Sequence, residues 1–527
     1  MQRVRAAGGR SQVKVTVEVA LAPVAAADPA RVKKAAERAA GWALGRASGM
    51  RVEHRSIDAR GREVRLRLRV ALSDEGPIAP PEIRAPRLRD VRHAPRALVI
   101  GCGPAGMFAA LRLIELGVRP VLLERGKDVR ARRHDLAAIT QRHVVDPDSN
   151  YCFGEGGAGT FSDGKLYTRA HKRGDVAGVL HALVAFGASP DILVDAHPHI
   201  GTNKLPDIVT RMREAIVASG GEVRFGARVT ELVLDGGRVR GVRLASGELE
   251  EAERVVLATG HSARDVFELL VRAGVAIERK DFAIGVRLEH PQELIDRVRY
   301  RRAPRDPRLP PASYSAVTQI RGAGVYTFCM CPGGVIAPCA TSPDEVVTNG
   351  WSPSKRNNPF ANSGVVVEIK GPQAGGGPLS GVRLQRELEH AAWIAGGRTQ
   401  AAPAQRMVDF MEGRASSTLP ACSYLPGVVS HRVDQLLPAD ITERLQLAMR
   451  DFGQKLRGYV TNEAVVVAVE SRTSSPVRVP RDPERLEHPD VRGLFPCGEG
   501  AGYAGGIVSA AMDGVRVAER VAALLTT

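Results

Sequence analysis

Three glycines and one glutamate have the residue types and the spacing of a dinucleotide-binding motif: Gly101, Gly103, Gly106 and Glu124. The first glycine permits a tight turn, the second lets a pyrophosphate approach the backbone, and the third lets a helix pack on a strand. The apolar run 98–100 before the glycines predicts that strand. Glu124 ends the next apolar run, where its carboxylate can accept a hydrogen bond from a ribose hydroxyl. The pattern therefore predicts a dinucleotide site.

The residues beside this motif favour the binding of phosphate. Pro104 and Ala105 open the predicted helix, whose first N–H groups and dipole attract phosphate oxygens. After Glu124, the chain continues with Arg125 and with a basic run that contains Arg132. These arginines either meet phosphate charge or are solvated, and the pattern slightly favours phosphate.

A second glycine-rich segment, residues 152–166 (CFGEGGAGTFSDGKL), contains Gly156 and Gly157. Backbone of this kind is used where a flat or charged ligand lies against the main chain. Lys165 follows, and a lysine beside the N1–C2=O edge of a flavin would stabilise the anionic reduced ring. An ordinary surface lysine is the alternative, and the segment alone favours neither.

Two later segments extend the predicted site. Residues 255–260 form a buried strand that ends in Thr259 and Gly260, whose backbone can approach a pyrophosphate. Near the end of the chain a strand leads into an acid and a glycine-rich helix start, which can bind a ribityl hydroxyl and stabilise charge on a flavin. The residues of this last segment are Gly498, Glu499, Gly505, Gly506 and Ile507. The first motif and these two later segments, in this order, predict FAD, because NAD needs only the first.

The intervening residues 261–485 contain no second GxGxxG pattern. NADH or NADPH would therefore bind transiently, or the reductant is another compound. This region mixes predicted strands (282–288, 365–369 and 464–469), a helix at 385–394 and polar loops, which is typical of a substrate-binding domain. The polar loop 348–363 is either a pocket wall or lid, or an ordinary long loop.

Two cysteines, Cys329 and Cys331, are close enough in sequence to suggest redox or metal chemistry. In a strand, residues two apart point to the same side, and only Cys339 lies near them. Zinc would need four ligands at better spacing, so no metal site is predicted. Buried structural cysteines are the favoured interpretation, with thiol redox chemistry as the alternative.

Composition places limits on the location and partners of the protein. The 527 residues carry a formal net charge of +16, but arginine is spread over the whole chain, so a nucleic-acid partner is not expected. Seven cysteines without a secretory signal indicate a cytoplasmic protein, and no apolar run predicts a membrane span. Residues 1–10 are predicted to be a disordered start rather than a transit peptide. The oligomeric state is not predicted.

The patterns divide the chain into three domains and a linker. A small N-terminal α+β domain (1–76) has a β-α-β-β pattern, with strands at 13–20, 52–57 and 64–71 and a helix at 29–46. A proline-rich linker (77–95) precedes an α/β, Rossmann-like FAD-binding domain in two parts (96–262 and 489–527). An α+β substrate or cap domain (263–488) is inserted between those parts.

The sequence resembles a largely uncharacterised family of bacterial and plastid FAD-dependent dehydrogenases. The resemblance runs almost end to end and includes GEGGAGTFSDGKL, PHIGTNKL, FCMCPGG, ESRTSSP and CGEGAGYAGGI. It implies a glutathione-reductase-type fold with β/β/α layers, and Glu499 stands where the family's third motif usually has aspartate. The FAD contacts that it implies are Gly101, Gly103, Gly106, Glu124, Arg132, Gly157, Thr160, Val229, Thr259, Gly260, Glu499, Gly505 and Gly506.

The sequence thus predicts an FAD-dependent oxidoreductase that transfers a hydride between its flavin and a small organic substrate. Lys165 is expected near the flavin edge, with Glu470, Arg472 and Asn349 orienting the substrate. An FAD-dependent monooxygenase is the alternative, because that class also uses one dinucleotide domain. An RNA-associated flavoprotein with an N-terminal binding module is a third hypothesis, although residues 13–71 show no aromatic stacking pair in their strands.

Overall fold

The computed structural model describes residues 14–168, 170–370 and 376–525. The predicted disordered start, residues 1–10, lies outside the described residues. The first described elements are β1 (Lys14–Leu21), α1 (Pro23–Ala26), α2 (Pro29–Ala39), β2 (Gly49–Asp58) and β3 (Arg65–Ser73). The strands form an antiparallel sheet in the order β1-β3-β2, and apolar residues of α2 pack on it. Helix α2 is shorter than predicted, because Gly41 and Gly45 adopt positive φ angles after its end.

The elements of the next segment surround the first glycine motif. They are β4 (Arg96–Ile100), α3 (Pro104–Glu115), β5 (Arg119–Leu123), α4 (Val129–Arg142), α5 (Val176–Ala185), α6 (Leu205–Ala218), β6 (Glu222–Arg224), β7 (Val229–Asp235), β8 (Arg238–Leu244), β9 (Leu249–Glu251) and β10 (Val255–Leu257). Short 3-10 turns lie at Gly157–Gly159, His171–Arg173 and Pro190–Leu193. Two elements near the C-terminus, β22 (Leu494–Pro496) and α13 (Ile507–Ala523), join this group.

A five-stranded parallel sheet in the order β22-β10-β4-β5-β6 is the centre of this group. Side chains alternate along its strands: Val99 packs under α3, α6 and α13 on one face, while Leu98 packs against β7 and β8 on the other. The result is the expected Rossmann-like fold with layers of helices, parallel sheet and antiparallel sheet. Strand β10 lies beside β4, as the Thr259-Gly260 pattern predicts.

Residues 222–251 form four short strands that belong to two sheets. The glycine turns between them suggest one antiparallel meander, but β6 pairs in parallel with β5. The meander instead consists of β7, β8 and β9. Strand β6 has only three residues, and nothing in so short a run distinguishes a parallel partner from an antiparallel one.

The inserted segment contributes a second sheet. Its elements are α7 (Arg264–Arg272), β11 (Glu278–Arg279), β12 (Phe282–Pro291), α8 (Gln292–Tyr300), β13 (Val317–Ile320), β14 (Ala323–Cys331), β15 (Val335–Pro338), β16 (Thr348–Trp351), β17 (Phe360–Ile369), α9 (Ser380–Ala395), β18 (Ala402–Arg406), α10 (Met407–Glu412), β19 (Val428–Ser430), α11 (Val433–Leu436), α12 (Ala439–Lys455), β20 (Val465–Glu470) and β21 (Val477–Arg478). Seven strands pair in the order β13-β14-β17-β12-β20-β18-β19. Residues 348–363 are not one long loop, since they contain β16 and the start of β17. In the described ranges, no helix has the length and apolarity needed to cross a membrane.

Candidate functional site

A cavity of about 420 Å³ lies where the carboxyl ends of the parallel strands face the second sheet. Most of the residues that the sequence assigns to the FAD site line it: Gly101, Gly103, Pro104, Ala105, Glu124, Arg125, Gly157, Val229, Thr259, Gly260, Glu499, Gly505, Gly506 and Ile507. Lys165, Asn349 and Arg472, which the sequence assigns to the substrate, line the same cavity. The fold therefore brings both groups to one place.

The wall near the first glycine motif has no room for side chains. Gly101 has a φ of +100°, and a Cβ there would lie 2.5 Å from the carbonyl oxygen of Ala258. A Cβ on Gly157 would lie 3.0 Å from the Cα of Gly103. These glycines let bare main chain face the cavity, which suits a pyrophosphate.

Two helices begin at this cavity without a side-chain cap. The N-cap residues of α3 and α13 are Gly103 and Gly506, and neither start has a side-chain cap. Uncapped N–H groups at a helix N-terminus stabilise anionic oxygens. The donor set thus fits FAD, because the start of α3 would hold its phosphate oxygens and the start of α13 would stabilise its flavin carbonyl.

Glu124 is buried and organises the turns around the glycine motif. Its carboxylate accepts hydrogen bonds from the N–H groups of Cys102, Gly126 and Gly154, each at 2.9 Å. Carboxylate oxygens have about four lone-pair sites in all. Acceptor capacity therefore remains for a ribose hydroxyl of the cofactor.

Four predicted FAD residues lie behind the cavity wall, where they allow close packing. A Cβ on Gly106 would lie 2.0 Å from the carbonyl oxygen of Gly101, so the third glycine serves helix–strand contact. A Cβ on Gly156 would clash with the Thr160 hydroxyl, and a Cβ on Gly498 would clash with the Cβ of Ala105. The Thr160 hydroxyl donates to a backbone carbonyl at 2.6 Å.

Arg132 does not fit the contact with FAD that the resemblance implies. Its guanidinium is fully buried and donates to the backbone carbonyls of Asn150, Tyr151 and Glu155 at 2.7 to 2.9 Å. Charge in this position stabilises the glycine-rich segment that follows α4. Arg125 does line the cavity, but it pairs with Asp148 and Asp265.

Glu470 does not line the cavity either, which corrects its expected role in orienting the substrate. It lies on β20, fully buried, and accepts a hydrogen bond from Arg287 at 3.2 Å. Burial raises the pKa of this carboxyl to about 7. The sequence could not show this, because the partner lies 183 residues away on β12.

Lys165 is held at the cavity by charged and sulfur-containing neighbours. Its Nζ lies 2.8 Å from the buried carboxylate of Asp163, 3.6 Å from Cys329 Sγ and 3.3 Å from Cys331 Sγ. Burial opposes the charge, but Asp163 and the two cysteines raise the pKa of Lys165 above its ordinary value. About a third of the side chain is exposed, toward the cavity (33%). Lys165 is therefore a cavity residue, and its position beside the flavin edge stays a prediction.

Arg472 lines the cavity but belongs to a buried ion cluster. It bonds Glu345 at 2.8 Å and Glu389 at 2.9 Å, and Arg264 donates to the same two carboxylates. Because the two arginines and two carboxylates balance one another, Arg472 is fixed in position and adds no net charge to the cavity wall. Asn349, on β16, is half-buried and lines the cavity, and its amide oxygen accepts from the N–H of Gly350 at 2.7 Å.

His261 and Glu499 form a titratable pair on the cavity wall. Nε2 of His261 lies 3.9 Å from Oε1 of Glu499. Burial, and then the nearby charges of Arg472 and Arg264, lower the pKa of His261 to about 3. Burial raises the pKa of Glu499 to about 7, although a hydrogen bond from the backbone N–H of Gly506 lowers it in part. The imidazole is therefore neutral, and the carboxyl exchanges its proton near neutral pH.

Glu499→Gln is expected to stabilise the FAD-free protein above neutral pH and to leave its stability below pH 4.5 unchanged. Because the pKa of Glu499 rises from 4.5 to about 7 on folding, the folded state keeps a proton that the unfolded state releases. Stability from this group is complete below 4.5 and is lost as the pH rises through about 7. Thermal unfolding at several pH values checks this, with the exposed Glu484→Gln as control. An undiminished fall in unfolding temperature in Glu499→Gln would contradict the expectation.

Several cavity residues were not predicted as site residues. Asp163, His261, Cys329 and Thr473 all line the cavity. Asp163 could have been found, because it stands two residues before Lys165 in the glycine-rich segment. Thr473 gave no signal beyond its position in the family motif ESRTSSP, and His261 none beyond its place directly after Thr259 and Gly260. Within the described ranges, no cluster of three or more histidine, cysteine or acidic residues could hold a metal ion.

Comparison with known proteins identifies the family. A model described as "FAD-dependent protein, C-terminal domain-like" matches residues 281–473, and one described as "FAD dependent oxidoreductase" matches residues 201–337. A domain of unknown function matches residues 12–73. An uncharacterized protein from Clostridium beijerinckii (strain ATCC 51743 / NCIMB 8052) is 41% identical over 431 residues, which are 81% of this chain and 80% of that protein.

Solved structures give only distant matches. CtdE in complex with FAD is 12% identical, with 82% of this chain and 85% of that chain covered and a TM-score of 0.33. The flavin-dependent brominase Bmp2 is 14% identical, with 82% and 79% covered and a TM-score of 0.35. TM-scores this low carry no argument about function. The family models and the bacterial relative, however, confirm the resemblance seen in the motifs, and the chain belongs to a family of FAD-dependent oxidoreductases with FAD as cofactor.

Proposed function

We propose that this oxidoreductase transfers a hydride between its flavin and a small organic substrate bound beside Lys165 and Asn349. The observation that carries the proposal is the shared cavity, in which FAD-motif residues and residues of the second sheet line one space. Bound FAD supplies the chemistry by accepting or donating a hydride. The seven unpaired cysteines support the expected cytoplasmic location.

Side chains of this chain set the polarity of the proposed substrate pocket. Lys165 is partly exposed at the cavity and can donate a hydrogen bond to an electron-rich oxygen of the substrate, whereas the charge of Arg472 is balanced by Glu345 and Glu389. The Asn349 amide can donate a hydrogen bond to that oxygen. The main-chain glycines and the uncapped start of α13 line the opposite side of the cavity, where they would bind FAD. The substrate would then lie at a fixed position relative to the cofactor.

His261 and Glu499 can handle the proton that accompanies hydride transfer. A group whose pKa lies close to the working pH can both give and take a proton efficiently. Glu499, with a pKa of about 7, meets this requirement. The neutral imidazole of His261 can donate to, or accept from, the substrate without adding charge.

Anaerobic reduction of the yellow protein with NADH and NADPH, followed by reoxidation with a panel of small carbonyl, enoyl and carboxylate compounds, tests the proposal. We expect one compound to reoxidise the flavin without oxygen. Asn349→Ala should raise the KM for that compound about tenfold or more and leave the FAD content unchanged, since a lost hydrogen bond costs about 1–3 kcal/mol. The exposed Asn357→Ala is the matched control. Reoxidation that requires oxygen, with hydroxylation of one of the compounds, would instead support the monooxygenase alternative.

A further inference from the structure

Two cysteines share one lysine at the cavity. Cys329 and Cys331 lie at the end of β14, and both sulfur atoms contact Lys165 Nζ, at 3.6 and 3.3 Å. Cys329 is half-buried and lines the cavity, whereas Cys331 is fully buried behind it. Arg287 approaches the same pair, with a donor nitrogen 3.6 Å from Cys331 Sγ and 2.7 Å from the Cys329 carbonyl oxygen.

The backbone is distorted at this pair. Cys329 has a φ of +45°, a left-handed conformation that L side chains rarely adopt. The register with β17 shifts between Phe328 and Cys331. Backbone strain of this kind is found mainly at functional sites. Two residues of extended strand span about 6.6 Å, which lies within the range of about 4.4–6.8 Å between the Cα atoms of a disulfide.

The charges around the pair favour one thiolate and one thiol. A hydrogen bond from Cys331, and then the charges of Lys165 and Arg287, lower the pKa of Cys329 against the effect of burial. Burial and the neighbouring Cys329 sulfur raise the pKa of Cys331. With the contacts of Lys165 and Arg287, these directions make Cys329, on the cavity wall, the more acidic thiol of the pair. This is the arrangement of a reactive thiol and not of a buried structural cysteine.

We propose that Cys329 and Cys331 form a redox-active dithiol that exchanges an electron pair with the bound FAD, a proposal that rests on the FAD site and deepens the proposed function. In the oxidising direction, the Cys331 S–H bond breaks, an S–S bond forms with the Cys329 thiolate, and the two electrons pass to oxidised FAD. The released proton accompanies them, which gives a disulfide and anionic, two-electron-reduced FAD. In the reverse direction the electrons open the disulfide. Lys165 keeps its proton and stabilises the thiolate in either direction.

Counting electrons in the wild-type holoprotein tests this. Air-oxidised, desalted protein is titrated anaerobically with dithionite while its flavin absorbance is followed. We expect uptake of one electron pair more per FAD than the flavin alone accepts. In parallel, FAD-free protein is equilibrated with glutathione redox buffers and alkylated. Peptide masses should show that the alkylated fractions of Cys329 and Cys331 fall together as the buffer becomes more oxidising. Uptake by the flavin alone, with both thiols always alkylated, would overturn the proposal.

Three variants test whether Cys329 and Cys331 take up the extra electron pair. Cys329→Ser and Cys331→Ser should each abolish it, and Cys339→Ser, a nearby half-buried cysteine outside the cavity, should keep it. Retention in either of the first two would overturn the proposal. If these variants lose FAD, the wild-type alkylation result still decides. An extra electron pair in a protein that no small compound reoxidises would refute the proposed hydride transfer alone, whereas substrate turnover without that electron pair would refute the dithiol alone.

Discussion

Replacing Lys165 with methionine is expected to slow alkylation of Cys329 at neutral pH by about tenfold or more, because each 1.4 kcal/mol of lost charge stabilisation is a factor of about ten. The Lys165 ammonium is one of the two cations that lower the pKa of this thiol. The same loss should make the reduction potential of bound FAD more negative, by about 30 mV for each 1.4 kcal/mol, since an anionic reduced flavin would lose a nearby positive charge. Timed alkylation with peptide masses, and dye-coupled potential measurement, check the two effects.

Two controls separate charge from packing. Lys165→Arg keeps a cation beside Asp163 and should retain most of the thiol reactivity. Lys172→Met removes an exposed lysine and should change neither quantity. Normal alkylation and a normal potential in Lys165→Met, with FAD still bound, would show that Lys165 has only a structural role next to Asp163.

The parts of the site that follow from local backbone requirements could be predicted from sequence. Gly101, Gly157 and Glu124 belong to short segments whose turns need those residue types whatever surrounds them. The parallel strand that ends at Thr259 was predictable for the same reason, because its apolar run and its Thr-Gly end are contiguous in the chain. Local chemistry therefore identified FAD, whereas the layers around it were implied by the family resemblance.

Features that depend on distant partners could not be predicted. Glu470 was expected to contact the substrate, but its carboxylate forms an ion pair with Arg287 on β12. Arg132 donates its hydrogen bonds to backbone carbonyls, and no sequence pattern predicts these partners. The favoured interpretation of Cys329 as a buried structural cysteine rested on strand alternation, which the left-handed residue in β14 interrupts.

The buried charges behind Arg472 couple the two halves of the site. Glu389 on α9 is fully buried, and it accepts from Arg264, from Ser471 and from two nitrogens of Arg472. Arg264 begins α7, next to the His261 segment, whereas Arg472 follows β20 of the second sheet. One carboxylate thus fixes a residue of each lining segment. Burial opposes its charge, but Arg264 and Arg472 lower the pKa of Glu389 to about 2.

Glu389→Gln is therefore expected to reduce the free energy of unfolding by about 3–5 kcal/mol at neutral pH, because it leaves buried arginine charge uncompensated. With a folded pKa near 2 and an ordinary value of 4.5, the wild-type carboxylate stabilises the protein above about pH 4.5, and this stability is lost as the pH falls toward 2. Denaturant unfolding at neutral and acidic pH should show a difference between variant and wild type that shrinks on acidification.

The exposed neighbour Glu387 on the same helix provides the matched control, since Glu387→Gln should change stability by no more than about 0.5 kcal/mol. If Glu389 positions Arg472 at the cavity, Glu389→Gln should also raise the KM for the reoxidising compound more than it lowers kcat, at temperatures where the variant is folded. A variant as stable as the control would mean that Glu345 alone neutralises both arginines. The link between the α7 segment and the second sheet would then depend on packing rather than on this carboxylate.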